Sequence, residues 1–143
     1  MALKVGIFGS RSLKSMETYN TITDVMHDFV KKHEVAYFVI PGGITGACEW
    51  AFKVAGELLI PAKVYFYGKG TGNYWKVIKT IKERTQKIID EADYFIFFWD
   101  GQSKGTMWDL KAVQKAGKPY ELYTIKSKPS AIKLDIEDVN WDL

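Results

Sequence analysis

The residues of this chain best suited to chemistry lie in three short polar stretches, each following a dense apolar run. They are Gly9, Ser10 and Arg11 in "IFGSRS"; Gly42, Gly43, Thr45, Gly46 and Glu49 in "PGGITGACE"; and Asp100, Gly101, Ser103, Lys104, Gly105 and Thr106 in "WDGQSKGT". Glycine lets an anion approach the backbone with no Cβ in the way. Where a helix opens directly after such a loop, its unpaired N–H groups and partial positive charge attract anions. Arg11 adds a planar guanidinium that holds a phosphate or carboxylate with two donors. All three stretches predict the same chemistry, the binding of an anionic group.

Several of these residues fit a second role. Thr106 suits the cap of its helix as well as a phosphate. Asp100 ends a strand, where aspartate shapes turns, and a carboxylate there also receives ribose hydroxyls. Glu49 and Asp109 fall in the first turns of helices expected from Ala47 and Thr106, where negative charge complements the helix dipole. Glu49 is equally placed for a ribose hydroxyl. Trp99 and Trp108 flank the third loop, as core residues or as platforms for a base. Cys48, the only cysteine, starts a helix, which lowers a thiol's pKa. With no histidine or second cysteine pattern it reads as core. A lone thiol excludes an intramolecular disulfide framework and fits a reducing compartment. His27 and His33 lack metal-ligand spacing, so neither metal nor cofactor is expected. "GKGTGNYW" (Gly68–Trp75) lacks Walker A spacing and reads as a flap, with Lys69 in reach of a phosphate. No GxGxxG follows the first apolar run, which argues against an NAD enzyme.

The elements that position these loops alternate strictly. Strands are expected at Lys4–Phe8, Val35–Ile40, Ala62–Tyr67, Asp93–Trp99 and Pro119–Ile125. Helices are expected at Met16–Lys32, Ala47–Leu59, Tyr74–Ala92 and Thr106–Ala116. Runs such as "YFIFFW" are apolar on both faces, as in parallel sheets covered by helices. The fold class is therefore α/β, a Rossmann-like, doubly wound, mainly parallel sheet of about five strands with helices on both faces. Ligands bind such sheets at the carboxyl ends of the strands, so Gly43, Gly46, Gly101 and Gly105 should surround one shared pocket. On the helix Tyr74–Ala92, Val77, Ile78, Ile81, Ile88 and Ile89 mark an apolar face, and Arg84, among several lysines, reads as a solvated charge.

A chain of 143 residues, 47% of them hydrophobic, suits one domain with a real core. We place that domain at residues 1–125, with a tail at 126–143 that packs on it or on a partner subunit. The +3 formal charge favours an anionic small molecule and forms no basic stripe, which argues against nucleic acid. Apolar runs fall well short of the roughly 20 residues a spanning helix needs, and no leader is visible, so a cytoplasmic protein with no membrane partner is expected. Five Trp, eight Tyr and eight Phe exceed what one small core readily hides, and predict a homodimer or higher homo-oligomer.

Together, "GSR", "PGGITGACEWA" and "ADYFIFFWDGQSKGTMWDLKAVQKAGKPYELY" resemble the SLOG superfamily, which groups DprA-like and YspA-like proteins with the LOG enzymes. The resemblance covers about residues 4–125. It implies a Rossmann-like domain that binds a nucleotide or nucleotide-derived signalling molecule through these loops, sensing or sequestering it. LOG enzymes hydrolyse the N-glycosidic bond of nucleoside monophosphates with an arginine on a helix and an acid three positions after the threonine of PGG-x-GT. That pattern falls on Arg84 and Asp109 as a catalytic pair, and implies a nucleotide N-glycosidase (phosphoribohydrolase) as the alternative function. A DprA-like nucleic-acid-binding role is disfavoured by the modest charge. Here "WDGQSKGT" replaces PGG-x-GT and aspartate replaces glutamate, which favours binding over efficient hydrolysis.

Overall fold

The computed structural model describes residues 2–43, 45–66 and 74–126. Five strands alternate with four helices along the chain. They run β1 (Leu3–Gly9), α1 (Met16–Lys32), β2 (Val35–Pro41), α2 (Ala47–Glu57), β3 (Ala62–Tyr65), α3 (Tyr74–Glu91), β4 (Tyr94–Trp99), α4 (Lys104–Ala116) and β5 (Tyr120–Thr124). The strands form one sheet in the order β3-β2-β1-β4-β5, and every pairing is parallel. The expected α/β, Rossmann-like fold is what the chain adopts.

The strand sequences explain the layering. β1, β2 and β4 are apolar at successive positions, so both of their faces must be covered. Val5, Ile7, Phe38, Ile40, Ile96 and Phe98 pack under α1 and α2. Phe8, Val39, Phe95 and Phe97 point the other way, under α3 and α4. Ser15 starts α1 by accepting the Thr18 N–H at 3.1 Å, a side-chain N-cap. Ile22, Met26 and Phe29 then recur on its buried face.

The far end of α3 is tied down twice. Lys118 Nζ donates to the carbonyls of Ile89 (2.6 Å), Asp90 (3.2 Å) and Ala92 (2.9 Å), satisfying acceptors that a helix end leaves open. Glu91 accepts hydrogen bonds from Tyr37, from Tyr65 at 2.5 Å and from Lys63 at 3.2 Å. The two tyrosine hydroxyls, Tyr37 foremost, bring its carboxyl down to about 2 against the effect of burial.

The helices change face between β1 and β4, since α1 follows β1 on one side and α4 follows β4 on the other. The crevice between their carboxyl ends is the switch point, where sheets of this kind bind ligands. Gly68–Asn73, with Lys69 of the expected flap, and the tail from 127 onward lie outside the described residues. Among the described residues, no helix is long and apolar enough to cross a membrane.

Candidate functional site

A cavity of about 510 Å³ opens at this switch point, a size typical of small-molecule sites. Gly9 and Arg11 enter it from the end of β1, Arg84 from α3, and Gly105, Thr106 and Asp109 from α4. Among the described residues, five basic side chains line it (Arg11, Lys82, Arg84, Lys111, Lys115) against the single carboxylate of Asp109. This balance favours an anion.

Asp100 determines how α4 meets the cavity. Its Oδ1 accepts the backbone N–H groups of Gln102 (2.8 Å) and Ser103 (2.7 Å). Its Oδ2 accepts the hydroxyls of Ser12 (2.6 Å) and Ser103 (3.0 Å). Burial alone raises this carboxyl, but the bonds from Ser12, Ser103 and Gln102 outweigh it and hold the group below the usual carboxylate range. With these N–H groups satisfied from upstream, α4 begins at Lys104, two residues before the expected start. Gly105 and Thr106 thus lie in the first turn, and Asp109 moves from the expected first turn to the second. Its carboxylate lies at the cavity wall, where Thr85 Oγ1 is 3.5 Å from Asp109 Oδ1.

Three expected ligand contacts turn inward. Ser10 is fully buried. Its N–H donates to the Phe98 carbonyl at 2.9 Å, its carbonyl accepts Ala47 N–H at 3.2 Å, and its hydroxyl meets Thr106 Oγ1 and Asp100 N–H, both at 3.1 Å. Asp100 holds the four donors just named, and Ser103 is buried with its hydroxyl on Asp100. Gly101 and Lys104 are exposed and line neither this cavity nor the one described next. Thr106 lines the larger cavity while its hydroxyl engages Ser10, so capping by its side chain is not its role. Trp99 also turns to structure, its indole N–H donating to the Ser103 carbonyl at 3.0 Å.

The loop after β2 faces a different cavity. Gly42, Gly43, Thr45 and Glu49 line a smaller space of about 240 Å³ with the exposed rings of Phe52 and Phe66. The glycine loops therefore share one edge of the sheet but not one pocket. Gly46 lines neither space. At φ +89° it sits where a Cβ would come within 2.5 Å of the Arg11 carbonyl oxygen and 2.6 Å of that of Ser10.

Arg84 differs from its expectation as a solvated charge, being only 5% exposed. Its Nη1 donates to the Gly42 carbonyl at 3.4 Å. The signal was in the spacing, because Arg84 stands three residues after Ile81 and four before Ile88, on the apolar face itself. Arg84 and Asp109 both line the larger cavity, and both act electrostatically on Cys48. Burial pushes the Cys48 thiol up to about 12, with Arg84 opposing and Asp109 assisting. A helix start does not activate this cysteine. Sequence reasoning passed over Lys82, Lys111 and Lys115, which line the larger cavity; the spacing of 111 and 115 from Gly105 and Trp108 along one helix face could have found them.

No family model, curated protein or solved structure matches this chain.

Proposed function

We propose that the protein binds a nucleotide or nucleotide-derived signalling molecule, as a stand-alone SLOG-like domain. The observation that carries this reading is the cavity at the β1/β4 switch point, with five basic side chains and one carboxylate on its wall. A phosphate fits against Gly105 in the first turn of α4, with Arg11 beside it. The motif resemblance noted above supports the same ligand class. The exposed rings of Phe52, Phe66 and Trp75 support self-association as part of this reading.

A second reading is nucleotide N-glycosidase, favoured by one observation: Arg84 and Asp109 line the same cavity. In that reaction Arg84 holds the phosphate while the Asp109 carboxylate stabilises the ribosyl cation as the bond to the base breaks. Water then adds to the anomeric carbon and the base leaves with a proton. An aspartate is one methylene shorter than the glutamate of the LOG pattern, and displacement of about 1 Å can cost ~100-fold in rate. Binding without efficient turnover is therefore the favoured reading.

Calorimetry with AMP and related monophosphates tests it. Arg11→Ala should weaken binding by about 1.5–3 kcal/mol, the range for a hydrogen bond to a charged group. Unchanged affinity in a folded variant would remove Arg11 from the site. Incubation with AMP should release no free base at an appreciable rate. Steady release that disappears in Asp109→Asn would select the hydrolytic reading.

A further inference from the structure

The cavity extends beyond the phosphate-holding end. Along α4, Lys111 lies about 9 Å and Lys115 about 15 Å from Gly105 at 1.5 Å per residue. These are separations along the helix axis, about two and three turns, so the two lysines belong to the far part of the same wall. An anion held at Gly105 and Arg11 leaves this second group of cations largely unanswered. The wall also carries apolar side chains, Ile78, Ile81 and the ring of Trp108. Trp108 is 46% exposed, and Lys82 Nζ rests 4.1 Å from its ring centroid.

What sets these lysines apart is that they gather on the wall of one cavity, since among the described residues other surface lysines, Lys31 and Lys79 for example, also stand outside the ion pairs. Lys32 pairs with Asp28 and Lys53 with Glu57, each one helical turn apart. Lys111 and Lys115 are also one turn apart, but they are like charges, which destabilises an empty helix. Among the described residues, neither they nor Lys82 stands in an ion pair. The groove thus reads cations, aromatic platform, cations.

We propose that the ligand is a nucleotide carrying a second phosphate on the far side of its ribose, as in a nucleoside 3′,5′-bisphosphate or a phosphodiester-linked dinucleotide. The proposal rests on the nucleotide reading above. The first phosphate sits at Arg11 and Gly105, and the base stacks on Trp108 in place of the Lys82 ammonium. The second phosphate meets Lys111 and Lys115, relieving their repulsion.

The test is calorimetry of the full chain near physiological ionic strength with AMP, adenosine 3′,5′-bisphosphate, 5′-phosphorylated diadenylate and inorganic pyrophosphate. The two-phosphate nucleotides should bind more tightly than AMP by about tenfold or more, a step of one decade in Kd. The double variant Lys111→Ser/Lys115→Ser should erase that preference. Trp108→Leu should weaken every nucleotide and spare pyrophosphate. Equal affinity for AMP and the bisphosphate, or a preference that survives the double variant, would overturn the proposal. So would a long oligodeoxynucleotide that binds more tightly than all of these. If AMP binds and the second phosphate adds nothing, only this inference falls. If no nucleotide binds, the functional reading falls with it.

Discussion

The loops after β2 and after β4 are built from the same residue types, yet they fold to different ends. Both pair glycines, hold a carboxylate and open a helix. The β4 loop lies at the switch point, and its aspartate accepts the N–H groups of Gln102 and Ser103, the two residues just before the following helix. The helix then starts early and turns Gly105, Thr106 and Asp109 onto a cavity with a basic wall. The β2 loop lies one strand away from the switch point. Its Gly46 packs on the backbone of Ser10 and Arg11, and its carboxylate, Glu49, is exposed beside a smaller, mostly apolar space. Glycine content does not distinguish the two. Position in the strand order does, together with what the nearest carboxylate binds.

The largest effect that can break this comparison is at Gly46. Gly46→Ala combines a left-handed backbone with a Cβ 2.5 Å from a carbonyl oxygen, and should cost about 3 kcal/mol, a fall of about 10 °C in Tm. Gly101 has a similar φ of +85°, but the nearest atom to its Cβ would be Thr124 Cγ2 at 3.7 Å. Gly101→Ala should cost only about 1 kcal/mol. Thermal unfolding of both variants checks this, and equal losses would mean that Gly46 is no tighter than its counterpart.

Asp100 comes next. Asp100→Ala removes four hydrogen bonds from the loop that leads into α4 and should lower stability by about 2 kcal/mol at neutral pH. The folded carboxyl titrates below its usual range, so its contribution is complete above the unfolded value of about 3.9. It is lost as pH falls below that value. Denaturant melts from pH 7 to pH 2 should therefore bring wild type and variant closer together in acid. A constant gap across that range would show that the carboxylate charge is not what holds the junction.

The smallest expected effect sharpens the contrast most. Glu49→Gln should leave nucleotide affinity unchanged, within about twofold, because Glu49 lines the smaller cavity only. A large loss by calorimetry would move the ribose to the β2 loop and reverse the assignment.

Much of this was legible in the sequence, for definite reasons. Strands with no polar face, such as "YFIFFW", can exist only between two layers of helices, and the alternation of elements then fixes a parallel sheet. The bounds expected for α1, Met16–Lys32, are those observed, where the Ser15 side chain accepts the Thr18 N–H. The site was harder to read. Periodicity alone could not show that Asp100 fixes the loop before α4 through Gln102 and Ser103, so α4 and Asp109 were expected half a turn out of place. Ser10 looked like a ligand group by composition, although its position directly after a buried strand turns its hydroxyl inward. Arg84 was hidden among lysines whose charge masked its place on the apolar face. The lysines of α4 were legible only in their spacing from Gly105 and Trp108 along one helix face.

Ser10 has one further consequence. A single buried residue joins the end of β1 to the start of α2 through Ala47 and to the β4 loop through Phe98, Asp100 and Thr106. The three junctions are thereby tied to one another at a residue that the fold already orders. Their ordering entropy is met once, when the chain folds, and is not charged again when a ligand arrives. Affinity at this rim therefore depends on the fit of shape and charge to a surface already set, and a rigid ligand gains no less there than a flexible one.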